Sequence, residues 1–183
     1  DDNAAYKKGV DNFVVAQDRL QELLLEPNFA ENTIVVVSNS NKDGASGFQK
    51  HYDIFEDECP GSLDGVRRAI YKISHAIFSS NDEDRKYFLG LKKDNEDKVI
   101  NKCGSIKPCI HGSDAHTEAK LFEPDEDRFC WIKADTTFEG LKQIVYEPAD
   151  RVFIGLEPPV IDRVRSNKTK YISTLSINHV RDY

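Results

Sequence analysis

Lys107-Pro-Cys-Ile-His-Gly-Ser-Asp-Ala-His116 is the stretch on which the reading of the fold turns. The apolar residues from Ile106 to Ile110 predict a strand, and Gly112 and Ser113 predict a sharp turn where it ends. Side chains two residues apart on extended backbone project to one face, so Asp114 and His116 are expected to share one ion while Ala115 packs the other way. A carboxylate oxygen beside an imidazole nitrogen suits Mn, Fe or Zn better than calcium, which prefers oxygen alone. The same spacing also serves as a surface ion pair, or as a cap beside a buried histidine. His111, three residues before Asp114, is near enough to act on substrate or to steady a metal-bound histidine; the bland reading is that it only ends the strand.

Upstream, Val10, Phe13, Val14, Leu20 and Leu24 fall on one helical face, and Pro27 ends the pattern. The β-branched run from Thr33 to Ser38 predicts a buried strand, delivering a polar, glycine-containing loop, residues 39–47. Lys42 and Asp43 in that loop are candidates for substrate contact, although the loop lacks the spacing of a P-loop and serves equally as a plain connection. Leu63, Val66, Ile70 and Ile73 predict a second helix and Ala76 to Phe78 a short strand, with His75 a half-buried or surface residue between them. His51, in an acidic and aromatic segment, reads the same way. The charge-dense stretch 81–102 reads as a solvated excursion in which Asp82 and Asp94 cap short helices.

Downstream, Phe129 to Ala134 predicts a strand carrying the only tryptophan. Thr136 and Glu139 have the spacing of a capping box, opening a helix whose buried face is Phe138, Leu141, Ile144 and Val145. Lys133 lies on the same side of its strand as Trp131 and is a candidate phosphate contact, or a surface lysine. Pro148, Pro158 and Pro159 bracket a last strand, Arg151 to Leu156, and the double proline reads as a domain exit. The basic cluster Arg163, Arg165, Lys168 and Lys170 opens a β-alternating stretch that runs to Ile177 and reads as a solvated linker or a nucleic-acid contact.

Three segments, Gly112-Ser-Asp-Ala-His116, Arg128-Phe-Cys-Trp-Ile-Lys-Ala-Asp135 and Thr137-Phe-Glu-Gly-Leu-Lys-Gln-Ile-Val-Tyr-Glu-Pro148, resemble the closing part of a PHP (polymerase and histidinol phosphatase) domain. The likeness is closest to PHP domains fused to an SMC-like or AAA-like ATPase, the TrlF type. Ser38-Asn-Ser-Asn-Lys-Asp-Gly-Ala-Ser-Gly47 and Ala76-Ile-Phe-Ser-Ser80 resemble the same proteins more loosely.

The resemblance implies an α/β fold, the C-terminal portion of a distorted seven-stranded β/α barrel with metal ligands at the C-terminal ends of its strands. It carries Asp114 and His116 over as ligands, in a site that in complete form holds up to three divalent ions (Mn, Zn or Fe). A PHP domain opens with His-x-His on its first strand, and none occurs here, so the chain is expected to be the later half of a barrel. Residues 1–158 would be that portion, and 159–183 a linker with the first strand of an ATPase-type domain. No P-loop is present, so ATP binding is not assigned to this chain.

The implied activity is metal-assisted phosphoester hydrolysis within a larger ATPase-coupled protein, acting on nucleic acid in repair or phage defence. The alternatives are a non-catalytic scaffold or sensor with a degenerate site, and a phosphatase for a small metabolite.

Composition sets outer bounds. A net charge of -7 gives no general electrostatic attraction to nucleic acid, so any such contact must be local. The longest apolar run, Ile34-Val-Val-Val37, is too short to cross a bilayer, and the expected location is the cytoplasm. Four dispersed cysteines, at 59, 103, 109 and 130, suggest reduced thiols rather than disulfides. A zinc site from Cys103, Cys109, His111 and His116 fits none of the common structural spacings. The absence of methionine agrees with a processed chain or with an excerpt from a longer protein.

Overall fold

The computed structural model describes residues 2–12, 16–39, 63–172 and 174–176. They form a mixed α/β structure with two small sheets, neither closed. Three parallel strands, β1 (Val36–Ser38), β2 (Ala76–Phe78) and β3 (Cys109–Ile110), lie side by side in chain order. Two antiparallel strands, β4 (Phe129–Ile132) and β5 (Val152–Gly155), pair Cys130 with Ile154 and Trp131 with Phe153.

Strand β2 has its expected bounds, and the other four are shorter than their apolar runs suggest, for local reasons. Pro108 has no N–H, so its carbonyl accepts from Ile77 N at 2.9 Å but the ladder through β3 begins only at Cys109. Strand β1 lies at the sheet edge, which leaves Val36 partly exposed instead of buried. The expected β4 and β5 each lose residues at their ends, although Lys133 N still donates to Arg151 O at 2.8 Å.

The N-terminal pattern divides into α1 (Asp2–Asn12) and α2 (Gln17–Leu25) instead of one helix, and Pro27 both ends α2 and opens α3 (Pro27–Glu31) at its first turn. Phe13 and Val14 lie outside the described residues. Helix α4 (Leu63–Ile73) matches its predicted periodicity.

Residues 81–102 are not a solvated excursion. They fold into α5 (Asp82–Phe88) and α6 (Glu96–Cys103), and Tyr87, Phe88, Val99 and Cys103 are fully buried. With Tyr71, Ile77 and Cys109 they make the hydrophobic core. The Phe88 ring lies 5.3 Å from both Tyr71 and Tyr87, edge-on to the latter at 84°. The caps are Asn81 and Asn95, whose side chains accept from Glu83 N and Lys98 N; Asp94 is instead buried and accepts from Tyr87 OH and Lys102 Nζ. Gly104 in the left-handed region (φ 87) ends α6.

Thr137, not Thr136, caps α7 (Phe138–Lys142), accepting from Gly140 N at 3.0 Å. After α8 (Pro148–Arg151) and β5, the double proline opens a further helix, α9 (Pro159–Ser166), because proline is well suited to a first helical turn. The basic stretch expected as a linker is helix and then a 3-10 turn at Lys168–Lys170, and the β-alternation expected after it shows no strand at the described residues 171–172 and 174–176. No helix among the described residues is long and apolar enough to cross a membrane.

Candidate functional site

Parallel strands deliver their C-terminal ends to one edge, and that edge carries the site. Asn39 N extends the ladder to Phe78 O and Ser79 N extends it to Ile110 O, each at 3.0 Å. The chain thus presents Asn39, then residues 79–82, then residues 111–116 along one rim. A cavity of about 680 Å³ opens there, lined also by Phe78, Pro124, Asp125 and Arg128. The C-terminal ends of parallel strands are where α/β folds build ligand sites.

Below the rim lies a buried polar network with no local signal in the sequence. The Asp84 carboxylate, 4% exposed, accepts from Asn39 Nδ2 at 2.6 Å and from Ser79 Oγ at 2.8 Å. Tyr71 OH donates to Asn39 Oδ1 at 3.4 Å, and Asn81 N donates to Ser79 Oγ at 3.1 Å. A carboxylate with two donors on one oxygen ties α5 to the ends of β1 and β2 and fixes two cavity-lining side chains.

Asp114 and His116 both line the cavity, as does His111, but not by the route expected. Strand β3 stops at Ile110, and Asp114 has φ 53, in the left-handed region. The alternation of an extended strand therefore does not govern the pair. The sharp turn belongs to Asp114 rather than to Gly112, and aspartate tolerates that conformation better than most residues. His111 Nδ1 lies 3.0 Å from Gly112 O, which as a carbonyl only accepts, so Nδ1 is the donor of that bond.

As a metal site the donor set is partial. Asp114 and His116 are exposed and of the right chemical type, but among the described residues no group of three His, Cys, Asp or Glu side chains is arranged to hold an ion. The alternative zinc set gains nothing. Cys103 and Cys109 are buried, and burial raises both thiols, Cys103 to about 11, which keeps them protonated. Cys103, Cys109 and Cys130 are all free.

Of the proposed substrate contacts, Lys42 and Asp43 lie outside the described residues, as do His51 and Cys59. Lys133 is exposed beyond the far end of β4, five residues from Arg128 and so roughly 16 Å along the strand from the cavity. Arg128, the residue just before β4, is the only Arg or Lys among the described lining residues. Its Nη1 donates to Ser80 O at 3.4 Å and its Nε lies 3.3 Å from the exposed Glu126 carboxylate. His75 is a half-buried junction residue whose Nδ1 accepts from Val35 N at 2.9 Å.

Three carboxylates, Asp82, Asp114 and Asp125, face the cavity beside this one guanidinium, and Asp82 is paired with Lys86 at 2.6 Å. A cavity of that charge attracts a cation ahead of an anion. Compared with known protein families, curated proteins and solved structures, the chain matches none.

Proposed function

We propose that this chain is the C-terminal portion of a PHP-type, metal-dependent phosphoesterase, part of a larger ATPase-coupled protein that acts on nucleic acid. The observation that carries the reading is the meeting of Asp114, His116, His111 and Arg128 around one cavity at the C-terminal edge of parallel strands. In this reading Asp114 and His116 are two of the protein ligands, and the rest of the set and of the distorted barrel come from other parts of the protein. A bound divalent ion would polarise the phosphoryl group and lower the pKa of a water at neutral pH. Arg128 would hold a phosphate oxygen through its fork of N–H groups. His111 lines the same cavity, with Nδ1 3.0 Å from Gly112 O.

The test is metal content and phosphodiester hydrolysis for the chain and for the Asp114→Ala, His116→Ala double variant. Bound Mn, Fe or Zn that disappears in the variant supports the reading. A second reading, a non-catalytic scaffold or sensor module, draws support from the missing three-donor group among the described residues. It predicts no metal uptake by either protein.

A further inference from the structure

Phe78 is out of keeping with its neighbours. It is the last residue of the central strand β2, where Ala76 and Ile77 are fully buried, yet it is 47% exposed. It opens into the cavity, whose adjoining wall is polar: Asn39, Ser79, Ser80 and Asn81. The core pairs its aromatic rings with one another, whereas Phe78 has no ring partner among the described residues.

Arg128 stands close by. Its Nη1 holds the carbonyl of Ser80, two residues beyond Phe78, and its Nε faces Glu126, whose side chain is 76% exposed. Nη2 has no protein partner among the described residues. A half-exposed aromatic side chain and an arginine with one free Nη2 lining the same cavity offer the chemistry that recognises a flat base joined to a phosphate.

We infer that Phe78 is a specificity-determining residue, the stacking face for the base of a nucleoside phosphate whose phosphate meets Arg128. This rests on the nucleic-acid phosphoester reading of the cavity and assigns the residue that holds the base, whether of a free nucleotide or of the end of a single strand. Stacking is tolerant of base identity, since every base offers a π-face, so the site discriminates base-bearing from base-free phosphates rather than one base from another.

The experiment is calorimetric titration of the whole chain, with Mn²⁺ present, with AMP, ribose 5-phosphate and a short single-stranded oligonucleotide, repeated with Phe78→Ala, Phe78→Tyr and Arg128→Gln. The expected result is AMP binding roughly tenfold or more tighter than ribose 5-phosphate. Phe78→Ala abolishes that preference without changing ribose 5-phosphate affinity, and Phe78→Tyr keeps it. Arg128→Gln weakens both ligands alike. Phe78-dependent oligonucleotide binding identifies the strand end as the source, and its absence beside AMP binding identifies the free nucleotide. Equal affinity for AMP and ribose 5-phosphate, or a preference that survives Phe78→Ala, overturns the inference while leaving the phosphoester reading standing. Failure of every phosphate ligand overturns the inference, and failure of metal uptake alongside it overturns the broader reading too.

Discussion

Replacing Asp84 with alanine removes the acceptor that two buried donors share. Asn39 and Ser79 are 3% and 5% exposed, so once Asp84 is gone water does not readily replace it. Hydrogen bonds to a charged acceptor contribute about 1.5–3 kcal/mol each, and a buried donor left unmade costs about 1–3 kcal/mol. Relief from burying the carboxylate offsets part of this loss. The net expectation for Asp84→Ala is a destabilisation of about 2–4 kcal/mol, well above the average surface substitution. Asp84→Asn keeps the shape and one oxygen acceptor, and should cost about half as much.

The assay is urea unfolding followed by circular dichroism, in which Asp84→Ala lowers the midpoint by roughly 1–2 M at unchanged slope. Because Asn39 and Ser79 line the cavity, ligand affinity should fall in the same order, alanine before asparagine. A loss below about 1 kcal/mol for Asp84→Ala, or an asparagine variant worse than alanine, would refute the reasoning.

Three further predictions concern pH and backbone. Lys107 is 1% exposed, with Nζ bonded to Ser74 O at 2.6 Å, and burial lowers its pKa from 10.5 to about 8. Above about pH 8 the unfolded chain holds one more proton than the folded one, so stability rises with pH by up to about 1.4 kcal/mol per unit. The thiols of Cys103, Cys109 and Cys130, raised by burial from 9.0, oppose this above pH 9, so the rise is legible in urea midpoints between pH 8 and 9; Lys107→Met should flatten it. The His75 pKa is lowered, first by burial and then by Lys107, so stability should fall as pH drops below the ordinary 6.5, an effect that His75→Gln should remove. Gly90 has φ 72, and a Cβ there would lie 2.5 Å from Glu96 N, so Gly90→Ala should lower the melting temperature by several degrees, as calorimetry would show.

Where the sequence was legible, a strong period or a special residue made it so. Helix α4 stood out because Leu63, Val66, Ile70 and Ile73 keep one face, and β2 because a short apolar run follows directly. The cavity residues Asp114, His116 and His111 were legible as chemistry, though the left-handed turn at Asp114 that sets their placement was not. Residues 81–102 misled because charge density hid the spacing of Tyr87, Phe88, Val99 and Cys103, whose burial depends on α4 and the sheet. Asp84 sits among Asp82, Glu83 and Arg85, and nothing local distinguishes the buried acid from the exposed ones. Arg128 and Phe78 become site residues only when β2 and β4 are brought to one rim, which is a long-range event. The double proline was legible as punctuation but not as the opening of a helix, because a first helical turn tolerates proline as readily as a linker does.

Metal content by elemental mass spectrometry, on the purified chain beside the Asp114→Ala, His116→Ala variant, tests the account most directly. Mn, Fe or Zn should be bound by the chain and lost from the variant. No metal in either protein after incubation with excess ion, or equal metal in both, would contradict it.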